Sequence, residues 1–72
     1  MDTFGARLSN LRITNNLSQQ IVADMLGCSR QAYSYYETNK REPNLETLRK
    51  LSAYFNVSAD YLLGISDNPK IN

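Results

Sequence analysis

The stretch Leu17-Ser18-Gln19-Gln20-Ile21-Val22-Ala23-Asp24-Met25-Leu26-Gly27-Cys28-Ser29-Arg30-Gln31 decides the fold. Ser18 is an N-cap candidate, its hydroxyl able to accept a backbone N–H of the first helical turn. Val22, Met25 and Leu26 then recur at helical spacing, and the helix stops at Gly27, which takes a positive φ without steric cost. Only Cys28 separates Gly27 from Ser29, the next cap candidate, so two short helices follow each other across a very tight turn. Ala23 is small where the second helix of the pair would cross the first, and Val22, Leu26 and Cys28 place apolar groups beneath the turn.

Outward from this unit the apolar residues keep recurring at three and four, and no stretch alternates as a half-buried strand would. Upstream, Phe4, Leu8 and Leu11 share one side of a helix over roughly residues 3 to 15, ended by Asn15-Asn16, with Ile13 on the opposite side. Downstream, the helix capped by Ser29 runs from Arg30 to about Thr38, and Asn39, Lys40, Arg41, Glu42 and Pro43 form a polar loop. Asn44 caps a fourth helix with Leu45, Leu48, Leu51 and Phe55 at helical spacing, and Ser58 caps a fifth with Tyr61, Leu62 and Leu63 before Gly64. The predicted class is all-α: five helices in one domain over residues 1–64, with residues 65–72 a frayed tail or linker.

Composition narrows the function classes. Seventy-two residues, 42% of them hydrophobic, make one small domain, whose stability is of order 4 to 11 kcal/mol. A net charge of +1 argues against a polybasic or an acidic, solvating tail, so any polyanion binding must come from local arrangement. One cysteine and no histidine give no internal disulfide, no metal site and no implied cofactor, and favour a reducing cytoplasm. Cys28 reads as a small core residue rather than a redox-sensing thiol. Apolar runs such as Tyr61-Leu62-Leu63 fall far short of a membrane span, and Met1-Asp2-Thr3 opens without a signal-peptide pattern, so a cytoplasmic protein with no membrane partner is expected. Without histidine, a nucleophile–base pair or a Gly-rich phosphate loop, catalysis is not expected.

The third helix carries the functional signal. Tyr33, Tyr36 and Glu37 share one face, while Gln31, Ser34, Tyr35 and Thr38 lie at i, i+3, i+4 and i+7 on the other. A polar stripe is usually a solvated surface. This one, however, has no Glu or Lys, and Arg30 stands at its start. Glutamine pairs bidentately with N6 and N7 of adenine, arginine with O6 and N7 of guanine, and a tyrosine ring lies against a thymine methyl. Glu37 points inward, where a carboxylate must be paired or protonated, and Arg12 at the edge of the first apolar stripe is the cation expected to pair with it. The bland alternative is an exposed Glu37 without a partner. Tyr54 and Tyr61 could stack on single-stranded nucleic acid, but their spacing relative to Leu51, Phe55 and Leu62 favours packing or a dimer contact.

From Leu17 through Gln31, Glu37 and Pro43-Asn44-Leu45-Glu46-Thr47-Leu48 to Phe55-Asn56-Val57-Ser58, the chain resembles the Cro/CI-type helix-turn-helix DNA-binding domains of phage repressors and related bacterial regulators. The resemblance covers about residues 4 to 64 and implies a compact lambda-repressor-like domain. By this resemblance Arg30, Gln31, Ser34 and Tyr35 look like base-contacting positions. Gln19, Thr38, Asn39, Lys40, Arg41 and Asn44 look like phosphate contacts, and Arg12 and Glu37 occupy positions where an internal ion pair is common. The sequence departs from the family pattern in three places. Tyr33 replaces a β-branched aliphatic, so that its hydroxyl needs a partner or helix three must tilt. Asn39 replaces the usual glycine after the recognition helix, and the cation that often follows the first Gln of helix two is absent.

The expected function is sequence-specific binding of double-stranded operator DNA by a transcriptional repressor or regulator. Because one domain contacts few base pairs, a homodimer on a near-palindromic operator is expected, with Leu62, Leu63 and Ile65 as dimer contacts. The alternative is a protein-interaction module, such as an antitoxin or anti-repressor-like domain, for which an exposed Ile13 could anchor a partner.

Overall fold

Five polar side chains set the five helix starts. In the computed structural model, which describes residues 3–71, Thr3, Ser18, Ser29, Asn44 and Ser58 each accept a backbone N–H, from Ala6, Ile21, Ala32, Thr47 and Tyr61 respectively. The helices they open are α1 (Phe4–Thr14), α2 (Gln19–Leu26), α3 (Arg30–Glu37), α4 (Leu45–Phe55) and α5 (Ala59–Leu62), with no strand among the described residues. The all-α, five-helix reading is borne out. Met1, Asp2 and Asn72 lie outside the described residues, and with them the first two residues of the reading against a signal peptide and the last residue of the tail. Among the described residues no helix is long and apolar enough to cross a membrane.

Left-handed residues turn the chain between elements. Gly27 (φ 75°) closes α2 directly into Cys28 and Ser29, while Asn16, Asn39 and Asn56 take φ of 58°, 62° and 55°, a region that asparagine tolerates better than other side chains. Leu8, Val22, Ala23, Tyr33, Leu51 and Leu62 are fully enclosed, one or more from every helix, so the core lies where all five meet. Phe4 closes one side of it, edge-on to Tyr36 with ring centroids 6.5 Å apart. Cys28 is half-buried against this core.

Two apolar residues lie differently from expectation. Leu62 is buried in the monomer, so it is core and unavailable as a dimer contact; Leu63, at the α5 C-cap, and Ile65 beyond it are the exposed neighbours. Leu45 is 71% exposed because it is the first residue of α4, a turn beyond the edge of the core that Leu48, Leu51 and Phe55 cover.

Part of the segment beyond α5 is tied back to the helices. Arg7 lies within about 60° of Phe4 on the wheel of α1, on the apolar side. It is 6% exposed, and its Nη1 donates to the carbonyls of Tyr61 (3.1 Å) and Ser66 (2.8 Å) while Nη2 donates to Asp67 Oδ1 (2.7 Å). Its guanidinium also lies 4.3 Å from the centroid of the Tyr61 ring. Ser58 N donates to the Pro69 carbonyl at 2.9 Å, drawing the chain back across the start of α5. Residues 66, 67 and 69 are thereby tied to α1 and to the start of α5.

Gly5 lets α1 come close to the end of α3. A Cβ placed there would collide with the carbonyl of Glu37 and sit 2.8 Å from the carbonyl oxygen of Tyr36, backbone atoms that cannot rotate away. Gly5→Ala should therefore separate α1 from the end of α3 and cost about 1–3 kcal/mol. Thermal unfolding should register this as a Tm lower by roughly 5–20 °C; an unchanged Tm would show that the two helices are not in contact.

Candidate nucleic-acid interface

The inner side of α3 is pinned by one charged cluster. Arg12 Nε donates to Glu37 Oε2 at 2.6 Å and Nη2 to Oε1 at 3.2 Å, and the remaining Nη1 donates to the Leu17 carbonyl at 2.9 Å. Gln19 Nε2 adds a donor to Glu37 Oε1 at 3.1 Å. One guanidinium thus joins α1, the approach to α2 and the end of α3, with the side chains of Arg12 and Glu37 only 15% and 7% exposed.

The cluster sets the protonation states. Burial alone would raise the Glu37 carboxyl; the Arg12 hydrogen bonds, the nearby Tyr33 hydroxyl, the Gln19 amide and the Arg12 charge outweigh it and hold Glu37 below the usual carboxylate range. Hydrogen bonding to Glu37 raises Arg12 further. Tyr33 is fully buried, and its hydroxyl makes no well-formed hydrogen bond among the described residues. Burial, with Glu37 close by, pushes that hydroxyl far above its ordinary value, so it stays neutral.

Pinning the inner side fixes what faces outward. Gln31 and Tyr35 project from the exposed face of α3, with Ser34 half-buried between them. Gln31 Nε2 donates to the Tyr35 hydroxyl at 3.0 Å, and Lys40 Nζ lies 5.7 Å from the Tyr35 ring centroid. Lys40 and Arg41 are held against the helix end because their backbone N–H groups both donate to the Tyr35 carbonyl, at 2.9 and 3.2 Å. Gln31, Tyr35, Lys40 and Arg41, together with Ser29 and Ala32, line one shallow recess. Arg30, exposed at the start of α3, reaches Gln19 Oε1 at 3.4 Å. Thr38 is exposed at the far end, its hydroxyl donating back to the Ser34 carbonyl at 3.1 Å.

Three phosphate candidates have other work in the free protein. Asn39 Oδ1 accepts from Gly5 N (2.9 Å) and its Nδ2 donates to Thr3 Oγ1 (3.0 Å), so this amide ties the loop after α3 to the start of α1. Asn44 Oδ1 accepts from Thr47 N at 2.8 Å and caps α4. Gln19 is half-buried and shared between Glu37 and Arg30. Sequence reasoning missed the Gln31–Tyr35 and Tyr35–Lys40 contacts, although the i, i+4 and i, i+5 spacings were open to it; nothing in the local sequence signals the turn of Asn39 toward α1.

This arrangement, a short helix pair about Gly27 with an outward polar helix, is that of the helix-turn-helix proteins, and the chain belongs to that family: the helix-turn-helix family model matches residues 8–62. It is 52% identical over 60 residues to YonR of Bacillus subtilis strain 168, an HTH-type transcriptional regulator derived from prophage SPbeta, covering 83% of this chain and 56% of YonR. It is 31% identical over 64 residues to RstR, a transcriptional repressor of the cryptic phage CTXphi in Vibrio cholerae, covering 89% of this chain and 58% of RstR. The chain thus spans a little over half the length of these curated relatives. Among solved structures it resembles the P22 c2 repressor in complex with a synthetic operator, with a TM-score of 0.84 and 33% identity over 92% of this chain and 100% of that one.

Because Glu37 titrates lower in the folded than in the unfolded chain, the unfolded state binds more protons as acid is added. The stability this carboxylate supplies is complete above its unfolded pKa of about 4.3 and is lost as pH falls through the lower folded value. At pH 7, Glu37→Gln should be less stable than the parent by about 3 kcal/mol. Urea denaturation from neutral pH into acid should show that gap closing below about pH 4.3, whereas a gap independent of pH would mean that the charge of Glu37 does not matter.

Proposed function

We propose that the chain is a sequence-specific binder of double-stranded DNA acting as a transcriptional repressor or regulator in the cytoplasm, with α3 as the helix that enters the major groove. The observation that carries this reading is the outer face of α3. Gln31, Ser34 and Tyr35 lie there with Arg30 before them and Lys40 and Arg41 after, and no carboxylate interrupts the series. The family and the operator-bound P22 c2 repressor support it.

In this reading Arg30, Gln31, Ser34 and Tyr35 address base edges. Lys40, Arg41 and the Thr38 hydroxyl address phosphates, with the N-termini of α2 and α4 supplying oriented N–H groups. Gln19 contributes at the edge of α2. Asn39 contributes by holding the loop in place, both ends of its amide being taken, while Asn44 caps α4 through its Oδ1 and presents its Nδ2 hydrogens to a phosphate. Such local donors let a chain of net charge +1 hold a polyanion. Two copies related by a two-fold axis would read half-sites about 34 Å apart, with the exposed Leu63 and Ile65 as the contact between them.

Operator selection from random duplexes followed by binding measurements in increasing salt tests the proposal. Affinity should fall with a log–log slope near −0.9 per phosphate contacted. Gln31→Ala should relax discrimination at one or two base pairs by about 1–3 kcal/mol, while Lys40→Ala should weaken binding to every duplex and reduce the slope by about one. Absent or salt-insensitive binding would instead favour a protein partner, for which Ile13, 57% exposed on α1, is the available anchor.

A further inference from the structure

We infer that Gln31, Tyr35 and Lys40 form a single reading unit assembled before DNA arrives, in which Tyr35 is the positioning residue that orients the Gln31 amide. The inference rests on the DNA-binding reading and deepens it.

The Gln31 side chain has two amide hydrogens and one carbonyl oxygen. In the free protein one of those hydrogens is donated to the Tyr35 hydroxyl at 3.0 Å. That bond fixes which end of the amide faces Tyr35, and it leaves the carbonyl oxygen and the second N–H for a base. Those two groups are the acceptor and donor that adenine N6 and N7 require. An unrestrained glutamine would present either end and lose rotamer freedom on binding; a held one has already lost it. The hydroxyl, used here as an acceptor, keeps its own hydrogen for an acceptor on the DNA.

Tyr35 can act this way only if it is itself held. Its ring has the Lys40 ammonium 5.7 Å from its centroid, and Lys40 is placed by its backbone N–H on the Tyr35 carbonyl at 2.9 Å. The cation that approaches the ring is therefore fastened to the same residue. The loop after α3 thus supports the orientation of a side chain one turn inside the helix, and Lys40 acts on base reading as well as on the backbone.

The test is a double-mutant cycle of Gln31→Ala and Tyr35→Phe on the selected operator and on the same duplex changed at the base pair that Gln31→Ala identifies. Tyr35→Phe keeps the ring and its lysine and removes only the hydroxyl. It should reduce discrimination at that base pair about tenfold, and the double variant should discriminate no worse than Gln31→Ala alone. Additive losses, or full discrimination by Tyr35→Phe, would overturn the inference while leaving DNA binding by α3 intact. A readout without DNA accompanies it: the two Gln31 side-chain amide protons should exchange with solvent at different rates in the parent and at similar rates in Tyr35→Phe. Equal rates in the parent would overturn the inference, and failure of the parent to bind any duplex would count against the DNA-binding reading alone.

Discussion

The pairing of Arg12 with Glu37 is the constraint on which the rest of the molecule depends. A carboxylate on the inner side of α3 is tolerable only with a cation and further donors, and the protein supplies them from α1 and α2, with Arg12 at 2.6 Å and Gln19 at 3.1 Å. Because both partners are largely buried, losing either leaves the other stranded. In a chain of 72 residues that is a large fraction of the total stability. The pair also determines which side of α3 is inside, and so which side chains are outside.

Around this anchor the small domain uses short polar ties where a larger protein would use more apolar area. Asn39 bonds the loop after α3 to Thr3 and Gly5, and the missing side chain of Gly5 lets α1 reach the last carbonyls of α3. Arg7 does the corresponding work at the other end, gathering Tyr61, Ser66 and Asp67 against α1. These contacts leave α3 held along one side and at its C-terminal end, with its opposite face open and extended by Lys40 and Arg41.

Much of this was legible in the sequence because it rests on local rules. Caps at Ser18, Ser29, Asn44 and Ser58, the glycine at 27 and the apolar spacing define the helices, since each signal acts within a turn of the residue that carries it. The split of α3 into an inner and an outer face follows from the same periodicity. What was not legible depends on partners distant in the chain. Arg7 lies on the apolar face of α1, but its acceptors are more than fifty residues away, and the same ties hold residues 66 and 67 against α1. Leu62 and Leu63 are adjacent, and only the position of α5 against the core separates the buried one from the exposed one. Asn39 reads as a loop residue near phosphate until the start of α1 is seen beside it.

The central claim is that α3 meets DNA with its outer face while Arg12 and Glu37 hold its inner face still. It is tested most directly by following backbone amides and the Arg12 Nε–H in nitrogen-edited NMR spectra as a selected operator duplex is added. The account predicts large changes at Arg30, Gln31, Ser34, Tyr35 and Lys40 and an Arg12 Nε–H that keeps its hydrogen-bonded position throughout. Changes centred on Ile13 and Ile21, or an Arg12 Nε–H that moves to a free position on binding, would contradict it.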